Sequence, residues 1–270
     1  MPEIRHLPEA PTGRRPLPPG AGIDAHRHDT HQIVYACRGV LSVTTGTGIW
    51  VAPANRAIWV PAGTVHEHRA HGDTDLRLVG LTGNPLGLER PAVLAVRPLL
   101  RELIIAYTDP AGTPPPGGPS DGGPISPSSG PAAGGRESAG GERERLLAVL
   151  LDQLRRAPEQ PLHLPAPRDS RLAAACALLH RDPADNSTLN QLATRAGTSG
   201  RTLARLFRAE LGMSFPQWRT QLRLHHALLL LADGVPVTTV AHRCGWASAS
   251  AFIDVFRRAF GYTPGRAFTM

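Results

Sequence analysis

Histidines in the N-terminal third of the chain have a spacing suited to binding a transition-metal ion. His26 and His28 are two residues apart, and two further candidate ligands follow them, Gln32 and His66. Alternate side chains of a strand project to the same face, so His26 and His28 can meet His66 inside a barrel. Three imidazoles and an amide oxygen suit zinc, nickel, iron or copper. The pattern therefore predicts a site for a divalent transition metal.

The same stretches also fit a hydrogen-bonded pocket for an organic effector, and the sequence leaves this alternative open. Gln32 brings no negative charge to balance a cation, and other histidines nearby suggest polar lining groups. The candidate pocket residues are Tyr35, Trp50, Trp59 and His68. Aromatic residues in short strands are also typical of an ordinary core, which is the competing interpretation of the three rings.

A second chemistry, nucleic-acid binding, is indicated by the distribution of charge. Residues from Ser170 onward contain 12 Arg against 5 acidic residues, whereas residues 1–169 contain 17 basic and 17 acidic residues. The whole net charge of +7 therefore belongs to the C-terminal part. Release of counterions from a phosphate backbone favours binding by such a region. A solvated basic face without a partner is the alternative on charge alone.

Two segments of this basic region repeat at an offset of 48 or 49 residues. In the first copy, Thr188 and Gln191 form a capping box, Gly197 ends one helix and Ser199 begins the next. In the second copy, Ser248 occupies the position of Ser199. Each copy predicts two helices around a tight turn, which is the helix-turn-helix layout.

The second helix of the first copy is predicted to be amphipathic. Leu203, Leu206 and Phe207 share one face, and Arg201 and Arg205 point the other way. A helix of about 18 residues joins the copies, and its length of ~27 Å is close to the ~34 Å of one DNA turn. Two recognition helices on one chain can therefore enter successive major grooves.

Composition divides the chain into an α+β multidomain protein, with an N-terminal β-barrel followed by helices and an all-α C-terminal domain. The predicted parts are a loose arm at 1–20, a barrel at 21–90, a helical hairpin at 91–160, a linker at 161–169 and a basic domain with two helix-turn-helix units at 170–270. A segment rich in Gly, Pro and Ser at about 109–141 predicts a disordered insert between the hairpin helices Pro98–Tyr107 and Glu142–Arg156.

Cysteine usage and hydropathy predict a cytoplasmic protein without a membrane partner. Cys37, Cys176 and Cys244 lack CxxC spacing, so we expect them to be reduced and mostly buried. The chain has no apolar run of about 18 residues, and its first residues do not have the character of a signal peptide.

These motifs resemble two known families. The repeat resembles the AraC/XylS DNA-binding domain over about a hundred residues, most distinctively at Ala241, Gly245, Trp246, Ser248, Phe252, Phe256, Phe260, Thr263 and Pro264. Gly20-x5-His26-x-His28-x3-Gln32-x6-Gly39 resembles the first cupin motif, with Gln32 where Glu is usual. Pro61-x-Gly63-x2-His66 resembles the second, with Ala70 where Asn is common. The resemblance implies a cupin-like sensor and a DNA-binding domain of seven helices with two helix-turn-helix units.

The resemblance also implies base contacts mainly from the first recognition helix. The candidate DNA-binding residues of the first unit are Ser199, Arg201, Thr202, Ala204, Arg205 and Arg208. Those of the second unit are Ser248, Ala249, Ser250, Ile253, Asp254, Arg257 and Arg258. The side chains of Ala249 and Ile253 cannot form hydrogen bonds with bases. The carboxylate of Asp254 repels phosphate unless it accepts a hydrogen bond from a cytosine amino group. We therefore expect the second unit to contact the DNA backbone.

Together these features predict a sequence-specific transcription regulator, not an enzyme, whose barrel senses a small molecule or a metal. The predicted partners are double-stranded DNA, an effector and a second copy of the chain in a homodimer, with RNA polymerase as a further candidate. A divalent transition metal is the candidate cofactor. The alternative is a metal-dependent cupin enzyme with an accessory DNA-binding domain, which Gln32 in place of an anionic base disfavours.

Overall fold

A computed structural model describes residues 4–109, 135–160 and 162–266 of the chain. Most of the insert predicted as disordered at 109–141 lies outside these residues. The second hairpin helix begins at Gly135, earlier than the predicted Glu142. This helix therefore includes the last residues of the predicted insert, 135–141, although three of them are glycines, which disfavour helix.

The described residues form ten strands and eight α-helices. The strands are β1 (Arg5–Leu7), β2 (Gly13–Leu17), β3 (Gly22–His28), β4 (His31–Thr45), β5 (Gly48–Pro53), β6 (Arg56–Val60), β7 (His66–Leu81), β8 (Ala92–Ala95), β9 (Glu159–Gln160) and β10 (His163–Pro165). The helices are α1 (Pro98–Thr108), α2 (Gly135–Arg155), α3 (Ser170–Arg181), α4 (Leu189–Arg195), α5 (Gly200–Leu211), α6 (Phe215–Ala232), α7 (Val237–Arg243) and α8 (Ala249–Phe260).

The strands form one sheet built on the long antiparallel pair β4 and β7. The arm predicted as loose is instead partly strand, since β1 pairs with β3 and β2 pairs with β7. The side chain of Leu17 is buried in the barrel interior. This apolar contact fixes the arm, which its high Pro content had indicated to be loose. The predicted hairpin and linker regions also contribute strands, because β8 pairs with β6 and β10 pairs with β5.

Side chains of β4 alternate between two buried clusters. Val34 and Ala36 face the barrel interior. Ile33 and Tyr35 face the opposite side, where they pack in a cluster that includes α1 and α2. This period of two is expected for a strand that is covered on both faces. The hairpin helices therefore pack together against the outside of the barrel.

The C-terminal domain consists of α3 to α8 and a 3₁₀ turn at Pro264–Arg266. The resemblance implied seven helices, and the 3₁₀ turn is the seventh helical element among the described residues. Ser199 caps α5 by accepting a hydrogen bond from the Thr202 amide, and Ser248 caps α8 in the same way from Ala251. Gly212 at the C-terminus of α5 and Gly261 at the C-terminus of α8 both adopt the left-handed conformation that ends a helix. The predicted repeat is therefore present in the fold.

The helical domain packs directly on the barrel. Leu228 of α6 shares a buried cluster with Val40 and Val51 of the barrel. A Cβ atom built on Gly72 would lie 2.6 Å from the carbonyl oxygen of Ala232, and Gly72 also has a φ of +66°. A larger residue does not fit at this close approach without moving the two backbones apart.

Two expectations from composition can also be compared with the described residues. Cys37, Cys176 and Cys244 are free and buried, as predicted. Within the described ranges, every helix is too short or too polar to cross a membrane.

Candidate metal centre and nucleic-acid interface

Four histidines from β3 and β7 meet inside the barrel. The ring centroids of His26 and His66 are 4.3 Å apart, and those of His28 and His66 are 4.9 Å apart. His68 lies 5.0 Å from His66 by the same measure. Candidate ligand atoms of His26, His66 and His68 all lie within 4.8 Å of one another. These four residues, at most 3% exposed, are called the histidine cluster below.

Backbone carbonyls fix the orientation of three of these rings. The Nδ1 atom of His26 donates to the carbonyl oxygen of Asp24 at 2.8 Å. His28 and His66 make the same contact, each with the carbonyl two residues away along the chain, at 2.6 Å and 2.8 Å. A proton on Nδ1 leaves the Nε2 lone pair free for a metal. Such a hydrogen bond on the far side of the ring is the usual support of a histidine ligand.

Several polar atoms of the cluster are buried and lack a partner among the described residues. They are Nε2 of His28, Nε2 of His66, both ring nitrogens of His68, and Oε1 of Gln32. Gln32 shares the interior face of β4 with Val34, and its amide nitrogen lies 3.4 Å from the carbonyl oxygen of Pro11. Because unpartnered buried polar atoms cost free energy, these atoms fit a ligand that is a Lewis acid or a donor.

Burial keeps the cluster in its neutral, metal-binding form. Loss of hydration lowers the pKa of His66 from its ordinary value of 6.5 to about 3. Burial also lowers the pKa of His68 well below its ordinary value, and the other cluster histidines lower it further. The pKa of His26 is lowered by the same main cause. These lowered pKa values favour the neutral imidazoles of His26, His66 and His68 at neutral pH.

The predicted aromatic pocket is divided between two cores, which corrects part of that prediction. Trp50 belongs to the barrel interior. Tyr35 and Trp59 belong instead to the cluster beneath the hairpin helices, because they lie on the outer faces of their strands. Their polar atoms are bound there, since the Tyr35 hydroxyl donates to the Ala54 carbonyl and the Trp59 indole donates to the Leu88 carbonyl. His68, predicted as a pocket residue, lies within the histidine cluster.

The first recognition helix, α5, presents basic side chains that are free of partners among the described residues. Arg201, Arg205 and Arg208 are exposed, whereas Leu203 and Phe207 are buried on the opposite face. The amphipathic pattern predicted from the sequence is thus the observed one. Of the remaining candidates on this unit, Ser199 is exposed, and Thr202 and Ala204 are half-buried.

The second recognition helix, α8, has a different surface. Asp254 lies 3.4 Å from a guanidinium nitrogen of Arg257, and its carbonyl oxygen accepts from Arg258 at 3.3 Å. Among the other predicted contact residues, Ser248 and Ser250 are exposed, and Ala249 and Ile253 are half-buried. The positive charge on α8 is therefore partly balanced within the helix.

Two features that join the parts of the molecule were not found from the sequence. The buried Arg223 of α6 donates to the carbonyl oxygens of Pro183 and Gly245, so it ties the segment before α4 to the turn between α7 and α8. Asn55 and Arg56 of the barrel both donate to the carbonyl oxygen of Phe260, at 3.0 and 3.4 Å. A lone Arg within the apolar run of α6 was the only local signal for the first contact.

Family models match both parts of the chain. A cupin domain matches residues 14–82, which contain the histidine cluster and Gln32. A helix-turn-helix domain matches residues 192–270, which contain both recognition helices.

Known proteins are similar to this chain over different lengths. The HTH-type transcriptional regulator NimR of Escherichia coli K12 is 31% identical over 244 residues, covering 89% of this chain and 80% of NimR. The arabinose operon regulatory protein of the same organism is 34% identical over 129 residues, covering 46% of each protein. A solved structure, the DNA-binding domain of AdpA in complex with a target DNA, is 33% identical with a TM-score of 0.34, covering 36% of this chain and 89% of that one.

Proposed function

Since the chain belongs to the AraC/XylS family of HTH-type transcriptional regulators, we propose that its barrel senses a ligand that includes a transition-metal ion. The chain is a DNA-binding transcription regulator with a cupin domain. The proposal concerns what the barrel takes and how the two helix-turn-helix units divide the contact with DNA.

The observation that carries the metal proposal is the set of unpartnered nitrogens in the histidine cluster. His26, His28 and His66 hold their protons on Nδ1 against backbone carbonyls. Their Nε2 atoms are thereby available to a Lewis acid, and His68 or the Gln32 oxygen can complete the set. Zinc, nickel, copper and iron all accept imidazole ligands. The metal would hold β3 and β7 together at this end of the barrel.

Packing of the barrel favours a small ligand over a bulky organic molecule. The interior beside the histidines is filled by apolar side chains. They include Leu17, Val34, Ala36, Leu41, Val43, Trp50, Ala52, Ile58, Val60, Ala70, Leu76, Leu78 and Val93. Displacing such close-packed side chains to admit a large ligand costs several kcal/mol, on the order of 1–3 kcal/mol for each strained site. A metal ion needs no such displacement.

We propose that α5 reads the DNA sequence and that α8 positions the domain on the backbone. Arg201 and Arg205 are exposed on the face opposite the buried stripe, and an Arg can bind guanine O6 and N7 through two hydrogen bonds. On α8, Ser248, Arg257 and Arg258 have the chemistry of phosphate contacts. α6 has 18 residues, a length of ~27 Å that suits recognition helices in successive major grooves.

Contact between the barrel and α8 offers a route by which the ligand controls DNA binding. The β5–β6 turn donates two hydrogen bonds to the last carbonyl of α8. The core of the second unit also includes Val40 and Val51 of the barrel. A change in the barrel would therefore move the second unit relative to the first.

The remaining partners are also part of the proposal. The hairpin α1–α2 leaves Leu99 and Val149 exposed, at 56% and 46%, which supports a homodimer contact there. RNA polymerase is a candidate partner because the chain is a transcription regulator, and a cytoplasmic location follows from that role.

Metal analysis of the full-length protein and its His28→Ala variant tests the proposal. We expect wild-type protein to bind about one equivalent of metal and to melt at a higher temperature when loaded. His28→Ala should lose both properties. His6→Ala is a matched control, since His6 is an exposed barrel histidine that pairs with Asp29 outside the cluster.

The metal proposal fails if loaded and chelator-treated wild-type protein have the same melting temperature and the same affinity for DNA. It also fails if His6→Ala removes the metal as completely as His28→Ala does, because binding would then be adventitious.

A further inference from the structure

The donors of the histidine cluster are all electrically neutral. Four imidazoles and the Gln32 amide supply no negative charge, and the metal-ligating group found among the described residues contains histidines alone. Cupin sites that have Glu at the position of Gln32 carry a negative charge there. A divalent ion bound here would keep its full charge within a buried site.

The charges around the cluster are positive as well. Among the described residues outside the cluster, the charged side chains that act on His26 or His68 are those of Arg5 and Arg15, and Arg5 is the direct partner of His26 in the β1–β3 ladder. Arg15 lowers the pKa of both His26 and His68, and Arg5 lowers that of His26. The surroundings therefore add to the positive charge of a bound cation instead of offsetting it.

Arg15 lies on the interior side of β2, and its positive charge acts on both His26 and His68. It pairs with Leu76 in the β2–β7 ladder, and both Leu76 and Leu17 face the barrel interior. Side chains two residues apart on a strand share a face, so Arg15 projects toward the same side as Leu17. Arg15 is exposed, and its guanidinium has no hydrogen bond or ion pair to any part of the chain that the structure describes.

Its neighbour on the strand provides a contrast. Arg14 projects to the other face of β2, where its Nε atom lies 2.9 Å from a carboxylate oxygen of Asp75. Two adjacent arginines therefore differ in that one is already paired and the other is free beside the histidines.

An uncompensated charge in a buried site is costly, on the order of several kcal/mol for each ion even after relaxation. Proteins offset such a cost by pairing the charge. With three imidazoles on a tetrahedral transition metal, as in the group of His26, His66 and His68, the fourth coordination position remains open for an external group. The group that satisfies both requirements is an anion.

We propose that the histidine cluster takes its metal ion together with an anionic oxygen ligand, a carboxylate or an inorganic oxyanion, and that Arg15 holds this anion. The inference rests on the proposed metal site and names the chemical class of the signal: the regulator responds to a small anion bound at the metal. Arg15 pairs with the free oxygen of the anion, as guanidinium groups commonly do with carboxylates.

Cobalt(II) is the probe for the experiment, because its visible absorption reports changes in its ligands. Full-length protein is loaded with one equivalent of Co²⁺ and titrated with acetate in one arm and with sulfate in the other. We expect at least one anion to change the visible spectrum with a saturable dissociation constant. Arg15→Gln should raise that constant about tenfold, the effect of losing a charge-assisted hydrogen bond. Arg14→Gln should leave it within about twofold, although it removes the same charge from the same strand.

The two arms decide the source of the anionic oxygen, since saturation by acetate alone indicates a carboxylate and saturation by sulfate alone indicates an inorganic oxyanion. A cobalt spectrum that neither anion changes, in protein that holds one equivalent of Co²⁺, overturns this inference and leaves the metal site standing. Equal weakening by Arg14→Gln and Arg15→Gln overturns the role of Arg15. Protein that binds no Co²⁺ overturns the metal site and the anion together.

Discussion

The two recognition helices are copies of one structural unit, yet their surfaces differ. α5 and α8 each have 12 residues, begin at a serine cap and end at a left-handed glycine. The arginines of α5 are exposed and unpaired within the described ranges. On α8, Arg257 lies beside the carboxylate of Asp254, and Arg258 donates to the backbone carbonyl oxygen of the same residue. The two units therefore share their helix lengths and caps but differ in the solvent-exposed side chains of α5 and α8.

The inner faces differ as well. Phe207 of the first unit is buried among helices α3 to α6, with one residue of β10. Phe256 of the second unit is buried in a cluster that includes barrel residues from β4 and β5. The core of the first unit is therefore built almost entirely from its own helices, whereas the core of the second unit includes barrel residues. This difference is the basis for the division of roles proposed above.

Removing either buried ring should produce the largest effect. Phe207 and Phe256 are both fully buried, so each change to Ala should cost about 3–5 kcal/mol of unfolding free energy in urea denaturation. Only Phe256→Ala should also loosen the barrel contact, seen as faster hydrogen exchange at the Asn55–Arg56 turn. Equal acceleration of exchange there by Phe207→Ala would contradict the difference between the units.

Acid should destabilise the packing around α6, where two adjacent histidines, His225 and His226, are removed from water. Burial lowers the pKa of His225 to about 3 and that of His226 to about 4, and neighbouring histidines lower both further, His226 and His180 for His225 and His180 for His226. Because the folded values lie below the unfolded value of ~6.5, stability is complete above pH ~6.5 and falls as pH decreases toward 4. The loss should reach about 1–2 kcal/mol per histidine at pH 5.

The measurement is thermal unfolding of full-length protein between pH 7.5 and 4.5. Exchanging His225 for Gln, which cannot be protonated, should flatten the dependence. A His242→Gln control should not, because His242 is exposed on α7. A melting temperature that is constant across this range would show that burial of these rings has little effect on their protonation.

The features of the fold that the sequence predicted correctly depend on contacts between residues that are close together along the chain. The helix-turn-helix units were predicted well because caps and amphipathic stripes are local: Ser199 and its partner Thr202 are three residues apart. The cupin-like spacing predicted Gln32 as a candidate ligand beside the histidines, and Gln32 lies on the interior face of β4 with Val34. The arm strands were not predicted, since β2 is fixed by pairing with β7, about 60 residues away.

The same reason explains the missed site residues. His68 was assigned to an organic pocket, and only the fold shows that it joins the other three histidines. Tyr35 and Trp59 looked like pocket rings because their outer covering, the hairpin, comes later in the chain. The Asn55 and Arg56 contacts span about 200 residues, and no local pattern encodes them.

A smaller effect is expected from changing Asp254 on α8. Its carboxylate repels phosphate and holds Arg257, so Asp254→Ala should increase affinity for any duplex about two- to fivefold and steepen the salt dependence. Asp152→Ala is the matched control, because Asp152 and Arg155 form a similar exposed pair on α2. Loss of preference for the cognate duplex in Asp254→Ala would instead indicate that Asp254 reads a base.

The division of roles between α5 and α8 is tested most directly by one binding titration. Wild-type protein, Arg205→Ala and Arg257→Ala are titrated against a cognate duplex, found by genomic footprinting, and a scrambled duplex over a range of salt concentrations. Arg205→Ala should lose about 1–3 kcal/mol of preference for the cognate site. Arg257→Ala should weaken both duplexes alike and reduce the salt slope by about 1. If Arg205→Ala and Arg201→Ala both keep the wild-type preference, α5 does not read the sequence and the account is wrong.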